Sequence, residues 1–134
     1  MSLNWNQELS VGIKEIDEQH KKIFLYITKL SNAINNNDTE EHIYEILEGL
    51  ISYGIYHFDT EEKYFEEFDY PDKAIHLKEH NDFRTKIKEL SLAFAENKDS
   101  ISTDVLEFLE EWLIQHITKI DKKYELFLIK NGVK

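Results

Sequence analysis

The chain of 134 residues is 41% hydrophobic and 32% charged, which is typical of one globular domain with a substantial core. Its net charge of −11, from 16 basic and 27 acidic side chains, makes nucleic acid and anionic membrane surfaces poor partners. Because the chain has no cysteine, disulfides, thiolate metal sites and cysteine nucleophiles are excluded.

The scarcity of chain breakers predicts long helices rather than many short strands. One proline and four glycines occur in the whole sequence. No apolar run approaches the ~20 residues that a helix needs to span a bilayer. The N-terminus lacks the basic and apolar regions of a signal peptide, so a cytoplasmic location is expected.

An ordered arm, residues 1–17, precedes the first predicted helix, which runs from about 18 to 35. The arm carries Trp5 among irregularly spaced apolar residues, and so large an apolar side chain is expected to pack on the body. From Ile23 onward apolar residues recur at steps of three and four, and His20 falls on the same stripe. Asp17 is the predicted N-cap of this helix.

The next two helices, predicted at about 39–68 and 71–97, each carry a pair of potential metal ligands four residues apart. His57 and Glu61 lie late in the second helix, and His76 and His80 lie early in the third. Residues four apart lie on one face of a helix, and both pairs fall on the inward stripe. Pro71 fits the first turn of the third helix, where its missing N–H costs nothing.

The fourth helix is predicted at about 103–130, after a polar loop at 97–102, and its inward stripe includes His116 and Asp121. Four amphipathic helices with short connections predict an all-α, up-down-up-down antiparallel four-helix bundle, formed by a single domain over 1–134. In that topology the seven candidate ligands meet at one end of the bundle. The remaining histidine, His42, lies at the opposite end and is not expected to be a ligand.

This convergence predicts a metal site. Five histidines and two carboxylates are costly to bury without partners, and a bound metal removes that cost. Seven ligands exceed the need of one tetrahedral zinc and suit two octahedral metals that share both carboxylates. His116 and Asp121 are five residues apart, so a regular helix separates them by about 140°. Either a local π-bulge or a reaching side chain must bring Asp121 to the site.

These residues resemble the bacteriohemerythrins, which belong to the hemerythrin family. The pattern is His20, His57-x-x-x-Glu61, His76-x-x-x-His80 and His116-x-x-x-x-Asp121, preceded by Trp5 and Val11-Gly12-Ile13. The resemblance implies a non-haem di-iron centre with an oxo or hydroxo bridge. Its ligands would be His76, His80 and His116 on one iron, His20 and His57 on the other, and Glu61 and Asp121 bridging both. O2 would bind at the open position of the iron with two histidines.

The resemblance also implies an O2 pocket lined by Ile23, Phe58, Trp112, Leu113 and Ile117. Apart from the ligands, no acid or base is expected on the inward stripes near the site. A dry pocket of this kind admits O2 and provides no proton relay for O–O cleavage. The expected function is therefore reversible O2 binding for transport, storage or sensing, with O2 as the partner and no enzymatic activity.

Two alternative functions remain open at this point. A hemerythrin-like di-iron enzyme with oxidase, peroxide or nitric oxide chemistry would need a polar group or a substrate channel beside the open position. A zinc peptidase is suggested by the sequence HLKEH at 76–80, which matches the H-x-x-E-H pattern. That short motif leaves His20, His57, His116 and Asp121 unexplained.

Overall fold

The body of the protein is helical in the computed structural model, which describes residues 5–96 and 98–134. Within those ranges the description leaves out the side chains at 40, 90, 91, 93–96, 98–105, 114 and 118. The helices described are α1 (Lys14–Asn35), α2 (Glu40–Phe68), α3 (Lys73–Glu96), α4 (Lys98–Gln115) and α5 (Glu125–Lys130). A π-helix (His116–Ile120) and a 3-10 helix (Asp121–Tyr124) join α4 to α5, and a 3-10 turn (Gln7–Leu9) lies in the arm.

The helices pack as an up-down-up-down antiparallel four-helix bundle with an N-terminal arm, which confirms the predicted fold class. The segment from α4 through α5 forms the fourth rod of the bundle. α1 and α3 each pack against both α2 and α4, so successive helices are neighbours around a common core. In the part of the chain that the structure describes, no helix is long and apolar enough to cross a membrane.

Two apolar clusters lie on either side of a buried polar layer. One cluster includes Phe58 and Leu109 and fills the space between the helices. The other includes Val11 of the arm and Phe65, and it closes the end of the bundle. Glu61 lies between Phe58 and Phe65 on α2 and is itself 0% exposed. The polar layer is therefore shielded from water along the bundle axis in both directions.

The first helix begins at Lys14 rather than near residue 18. Ile13, which is extended at φ −119°, occupies the N-cap position. Asp17 lies inside the first turn, and its carboxylate accepts hydrogen bonds from the Val11 N–H at 2.8 Å and the Ser10 hydroxyl at 2.5 Å. The prediction of Asp17 as the N-cap is therefore wrong. The residue anchors the arm to α1 instead.

The third and fourth helices also differ from the predicted ranges. α3 begins at Lys73 rather than 71, because Asp69 ends α2 in the left-handed conformation (φ 53°) and a turn follows. The predicted loop at 97–102 is wrong from Lys98 onward, where α4 begins. Polar residues predict that a segment is at the surface, and this alone does not distinguish a loop from the start of a helix. Asn97 and residues 1–4 of the predicted arm lie outside the described residues.

Removing the Asp17 carboxylate should release the arm and destabilise the protein. Asp17→Ala leaves the N–H of Val11, a fully buried residue, without its acceptor, so we expect the free energy of unfolding to fall by about 1–3 kcal/mol. Urea denaturation measures this difference. The control is Glu18→Ala, which removes an exposed carboxylate at the next position and should change stability by about 0.5 kcal/mol or less. Equal effects of the two substitutions would contradict the anchoring role.

Candidate metal centre

Seven buried side chains from all four rods of the bundle converge in the polar layer, and each is at most 2% exposed. They form two groups, and the ligand atoms within each group lie within 4.8 Å of one another. The first group is Glu61, His76, His80 and His116, and the second is His20, His57, Glu61 and Asp121. The structure thus places together all seven residues that the sequence predicts as ligands, and Glu61 belongs to both groups.

The carboxylate of Asp121 lies between the two groups. Its Oδ1 atom is 2.9 Å from Nε2 of His116 and 3.0 Å from Nε2 of His76. Its Oδ2 atom is 3.0 Å from Nε2 of His20. Each oxygen of this carboxylate therefore faces a different group of histidines.

The carboxylate of Glu61 also contacts both groups, but through one oxygen. Its Oε1 atom is 3.2 Å from Nε2 of His57 and 3.1 Å from Nε2 of His80. Its Oε2 atom accepts a hydrogen bond from the hydroxyl of Tyr124 at 2.6 Å. Tyr124 therefore holds the carboxylate with Oε1 turned toward the histidines.

A π-helix brings Asp121 into the layer. The irregular segment runs from His116 to Ile120, and the N–H of Asp121 donates to the carbonyl of His116 five residues earlier. Asp121 is 0% exposed as a result. Of the two explanations that the spacing left open, the local π-bulge is confirmed, and such bulges are frequent at functional sites.

Four of the inward-pointing atoms lie close together without forming hydrogen bonds, as the donor atoms of a metal site do. Nε2 of His76, Nε2 of His116 and both oxygens of Asp121 are buried without a hydrogen-bond partner, although contacts among them are as short as 2.9 Å. Close contact without hydrogen-bond geometry means that the lone pairs point into shared space. The Nε2 atoms of His20 and His57 also face each other at 3.1 Å. Cations in this space would satisfy these atoms, so the donor set fits a metal.

The charges of the layer stabilise one another in the metal-free protein. Burial lowers the pKa of His20. Burial also opposes protonation of His57, His76 and His116, but the neighbouring carboxylates outweigh it and raise the pKa of each to about 9. Burial favours the neutral form of both carboxyls, yet the histidines hold their pKa values well below the usual range. Protons thus occupy the place of a metal, and metal uptake must displace them.

Further side chains hold the candidate ligands from outside the layer. The Nδ1 atom of His57 lies 2.7 Å from the amide oxygen of Gln19, and Nδ1 of His80 lies 2.7 Å from the carboxylate of Glu62. The expectation that the inward stripes carry no other acid or base near the site is therefore wrong for Tyr124, whose hydroxyl contacts Glu61, whereas Glu62 reaches the site from outside the stripe. Glu62 follows a stripe residue directly and so points about 100° away from the stripe, which is why periodicity does not select it.

The five residues predicted to line an O2 pocket lie in, or pack against, the apolar cluster beside the layer: Ile23, Phe58, Trp112, Leu113 and Ile117. The ring of Phe58 stacks on His80 with centroids 4.0 Å apart. The ring of Trp112 stacks on His116 at 4.4 Å. Both aromatic rings therefore contact the group with three histidines.

Two residues, His42 and Glu79, lie outside the two groups. His42 is exposed near the start of α2, with its Nδ1 atom 2.5 Å from the Asp38 carboxylate. Glu79, the acidic residue of the HLKEH motif, lines an outer pocket of about 270 Å³ together with Trp112. Among the described residues neither joins a cluster that could hold a metal. A zinc peptidase would need the glutamate of its motif beside the metal, and Glu79 does not lie there.

The architecture and this layer define a four-helix bundle with a buried cluster of histidines and carboxylates suited to cations. The family described as the hemerythrin HHE cation binding domain matches residues 11–127. The chain therefore belongs to the hemerythrin family, as its sequence pattern indicates.

Individual relatives cover most of the chain. It is similar to the bacteriohemerythrin of Methylococcus capsulatus, with 32% identity over 117 residues that span 87% of this chain and 88% of that one. It is 33% identical over 124 residues to the bacteriohemerythrin of Pseudomonas aeruginosa, across 91% of this chain and 78% of the relative. A crystal structure of wild-type hemerythrin aligns with a TM-score of 0.86 and 31% identity, covering 96% and 98% of the two chains.

The stability of the metal-free protein should fall as the pH rises from 6.5 to about 9. The pKa values of His57, His76 and His116 are raised from 6.5 to about 9, so their stabilising effect is complete below pH 6.5 and is lost through pH 9. Thermal unfolding at several pH values measures this as a decrease of several degrees. The protein loaded with zinc is the control, and its midpoint should fall less because the metal replaces the protons. A flat profile for the metal-free protein would contradict the assigned charges.

Proposed function

We propose that the polar layer holds two iron ions with an oxo or hydroxo bridge between them. The ligands would be His76, His80 and His116 for one iron, His20 and His57 for the other, and Glu61 and Asp121 for both. The observation that carries this proposal is the pair of buried four-residue groups that share Glu61. Imidazole and carboxylate donors suit iron, and two metals use all seven side chains.

The two irons would have unequal sets of ligands. If both carboxylates are shared, the iron beside His20 and His57 has one protein ligand fewer than its neighbour. O2 would bind at that open position. The reduced iron pair supplies the electrons on which reversible O2 binding depends, while the protein supplies position and environment.

The role of the surrounding side chains is to keep this position dry. Ile23 lies one helical turn after His20 and is 1% exposed, and Phe58 and Ile117 are equally buried. An apolar lining excludes water and charged groups but not a small apolar gas. We propose that the O2 pocket is lined by Ile23, Phe58, Trp112, Leu113 and Ile117.

Tyr124 would hold one bridging carboxylate without supplying a proton. Its hydroxyl is fully buried and donates to Oε2 of Glu61 at 2.6 Å. Burial, together with the nearby charges of Glu61 and Asp121, raises the pKa of Tyr124 well above its usual value. The residue therefore remains a neutral donor at physiological pH. A group that keeps its proton provides no relay for cleavage of the O–O bond, which supports reversible binding of O2.

Reversible O2 binding for transport, storage or sensing, by one domain that spans residues 1–134, is therefore the proposed function. A di-iron enzyme is the second candidate, and one observation favours it. The outer pocket of about 270 Å³ has His116 in its lining, together with the polar side chains of Glu79, Glu111 and Gln115. A small polar substrate could approach the three-histidine group there, and the rate of autoxidation distinguishes the two candidates.

The reduced protein should bind O2 reversibly. After anaerobic loading with ferrous iron we expect two irons per chain by metal analysis, and a visible spectrum that appears in air and disappears under vacuum over repeated cycles. Stopped-flow mixing with O2 measures the lifetime of the oxygenated protein. Rapid oxidation without a stable oxygenated form would favour the enzyme, and one zinc per chain would contradict the di-iron proposal.

His57→Ala should selectively weaken the iron that is proposed to bind O2. That iron would keep His20 as its only histidine, so we expect the iron content to fall by about half and reversible O2 binding to be lost. His42→Ala, which removes an exposed histidine from the same helix, is the control and should change neither quantity. Unchanged iron content and spectrum in His57→Ala would refute the assignment.

A further inference from the structure

The outer nitrogen of His80 is held by a charged pair, whereas that of His57 is held by a neutral amide. Nδ1 of His80 lies 2.7 Å from Oε2 of Glu62, and the same oxygen accepts a hydrogen bond from Nη2 of Arg84 at 3.0 Å. Nδ1 of His57 faces the amide oxygen of Gln19 at 2.7 Å. The group that contains His80 is therefore held by a charged partner, and the group that contains His57 is held by a neutral one.

The same pair also fixes the plane of the His80 ring. The guanidinium of Arg84 lies 5.4 Å from the ring centroid of Phe58, and Phe58 stacks on His80 with an interplanar angle of 13°. Phe58 and Glu62 are four residues apart on α2, and His80 and Arg84 are four apart on α3, so each pair shares one helix face. The side chains of Glu62 and Arg84 are 25% and 27% exposed. The four contacts thus form a closed loop that is largely shielded from solvent.

We propose that Glu62, fixed by Arg84, is a positioning residue that sets the tautomer and the donor strength of His80; this inference rests on the proposed metal centre. A carboxylate that accepts the Nδ1 proton leaves Nε2 free to bind a metal. A carboxylate partner also makes Nε2 of the imidazole a stronger electron-pair donor to a metal than a neutral amide partner would. The His80 side of the centre is therefore the more electron-rich side, and the His57 side is the less electron-rich one.

The ionised state of Glu62 is consistent with this role. Nη2 of Arg84 donates to Oε2 of Glu62 at 3.0 Å, and a guanidinium so close to a carboxylate favours its charged form. Negative charge is thus held next to Nδ1 of His80. Arg84 compensates this charge at the surface and leaves the hydrogen bond to His80 in place.

The first test uses the metal-free protein. Nitrogen-15 NMR of the histidine rings should show a proton on Nδ1 of His80 with a far-downfield shift, as a hydrogen bond to a carboxylate requires. Glu62→Gln keeps the shape of the side chain and a hydrogen-bond acceptor but removes the charge, so the signal of the Nδ1 proton should move upfield. The matched control is Glu66→Gln, one turn along α2 and 78% exposed, which should leave the signal unchanged. The absence of a proton on Nδ1 of His80, or a chemical shift that does not change in Glu62→Gln, would overturn the proposal.

The second test adds metal. Glu62→Ala should weaken cobalt or zinc binding about 10- to 100-fold, the usual effect of removing such a partner. Glu62→Gln should restore most of that affinity and still shift the iron midpoint potential to a more positive value. Normal affinity and potential in both variants would overturn the role of Glu62. Failure of the unmodified protein to take up any metal would instead refute the metal centre, and the NMR result would still decide whether Glu62 positions His80.

Discussion

Charge buried in the middle of the bundle is the constraint on which the rest of the structure depends. Five imidazoles and two carboxylates lie in one layer, each at most 2% exposed, and isolated charges in such a place are strongly disfavoured. The protein meets this constraint by drawing these side chains from every rod, so that each carboxylate is surrounded by histidines. Apolar clusters on both sides then exclude solvent, and the same arrangement that stabilises protons in the layer can accept cations.

Helical periodicity is the reason that the fold and the candidate ligands could be predicted from the sequence. A spacing of four places His57 with Glu61 on one face, and the order of the helices then brings all such faces to one end of the bundle. The supporting residues could not be predicted in this way. Nothing in the sequence distinguishes Glu62 from the other glutamates of α2, because its role depends on the neighbouring helix. The predicted start of the first helix was wrong for a similar reason. An aspartate such as Asp17 can cap a helix or hold the arm against it, and the sequence does not distinguish these two roles.

The α2–α3 pair determines more of the site than its share of ligands suggests. Two consecutive glutamates of α2 contact opposite nitrogens of the same imidazole, Glu61 at Nε2 of His80 and Glu62 at Nδ1. Neighbouring residues on a helix point in directions about 100° apart, so the ring must lie at the boundary between the core and the helix surface. His80 is thus the place where the buried layer is connected to charges that solvent can reach.

The irregular part of the fourth rod has a consequence for how the site and the scaffold depend on each other. The π-helix at His116–Ile120 winds less per residue than an α-helix, and the 3-10 helix at Asp121–Tyr124 that follows winds more. The second change in twist offsets the first, so Tyr124 and Leu128 return to the inward face and are 0% exposed. The rotation that turns Asp121 inward is thereby confined to one short segment. The direction of the Asp121 side chain and the packing of the bundle are, in this rod, separately adjustable properties.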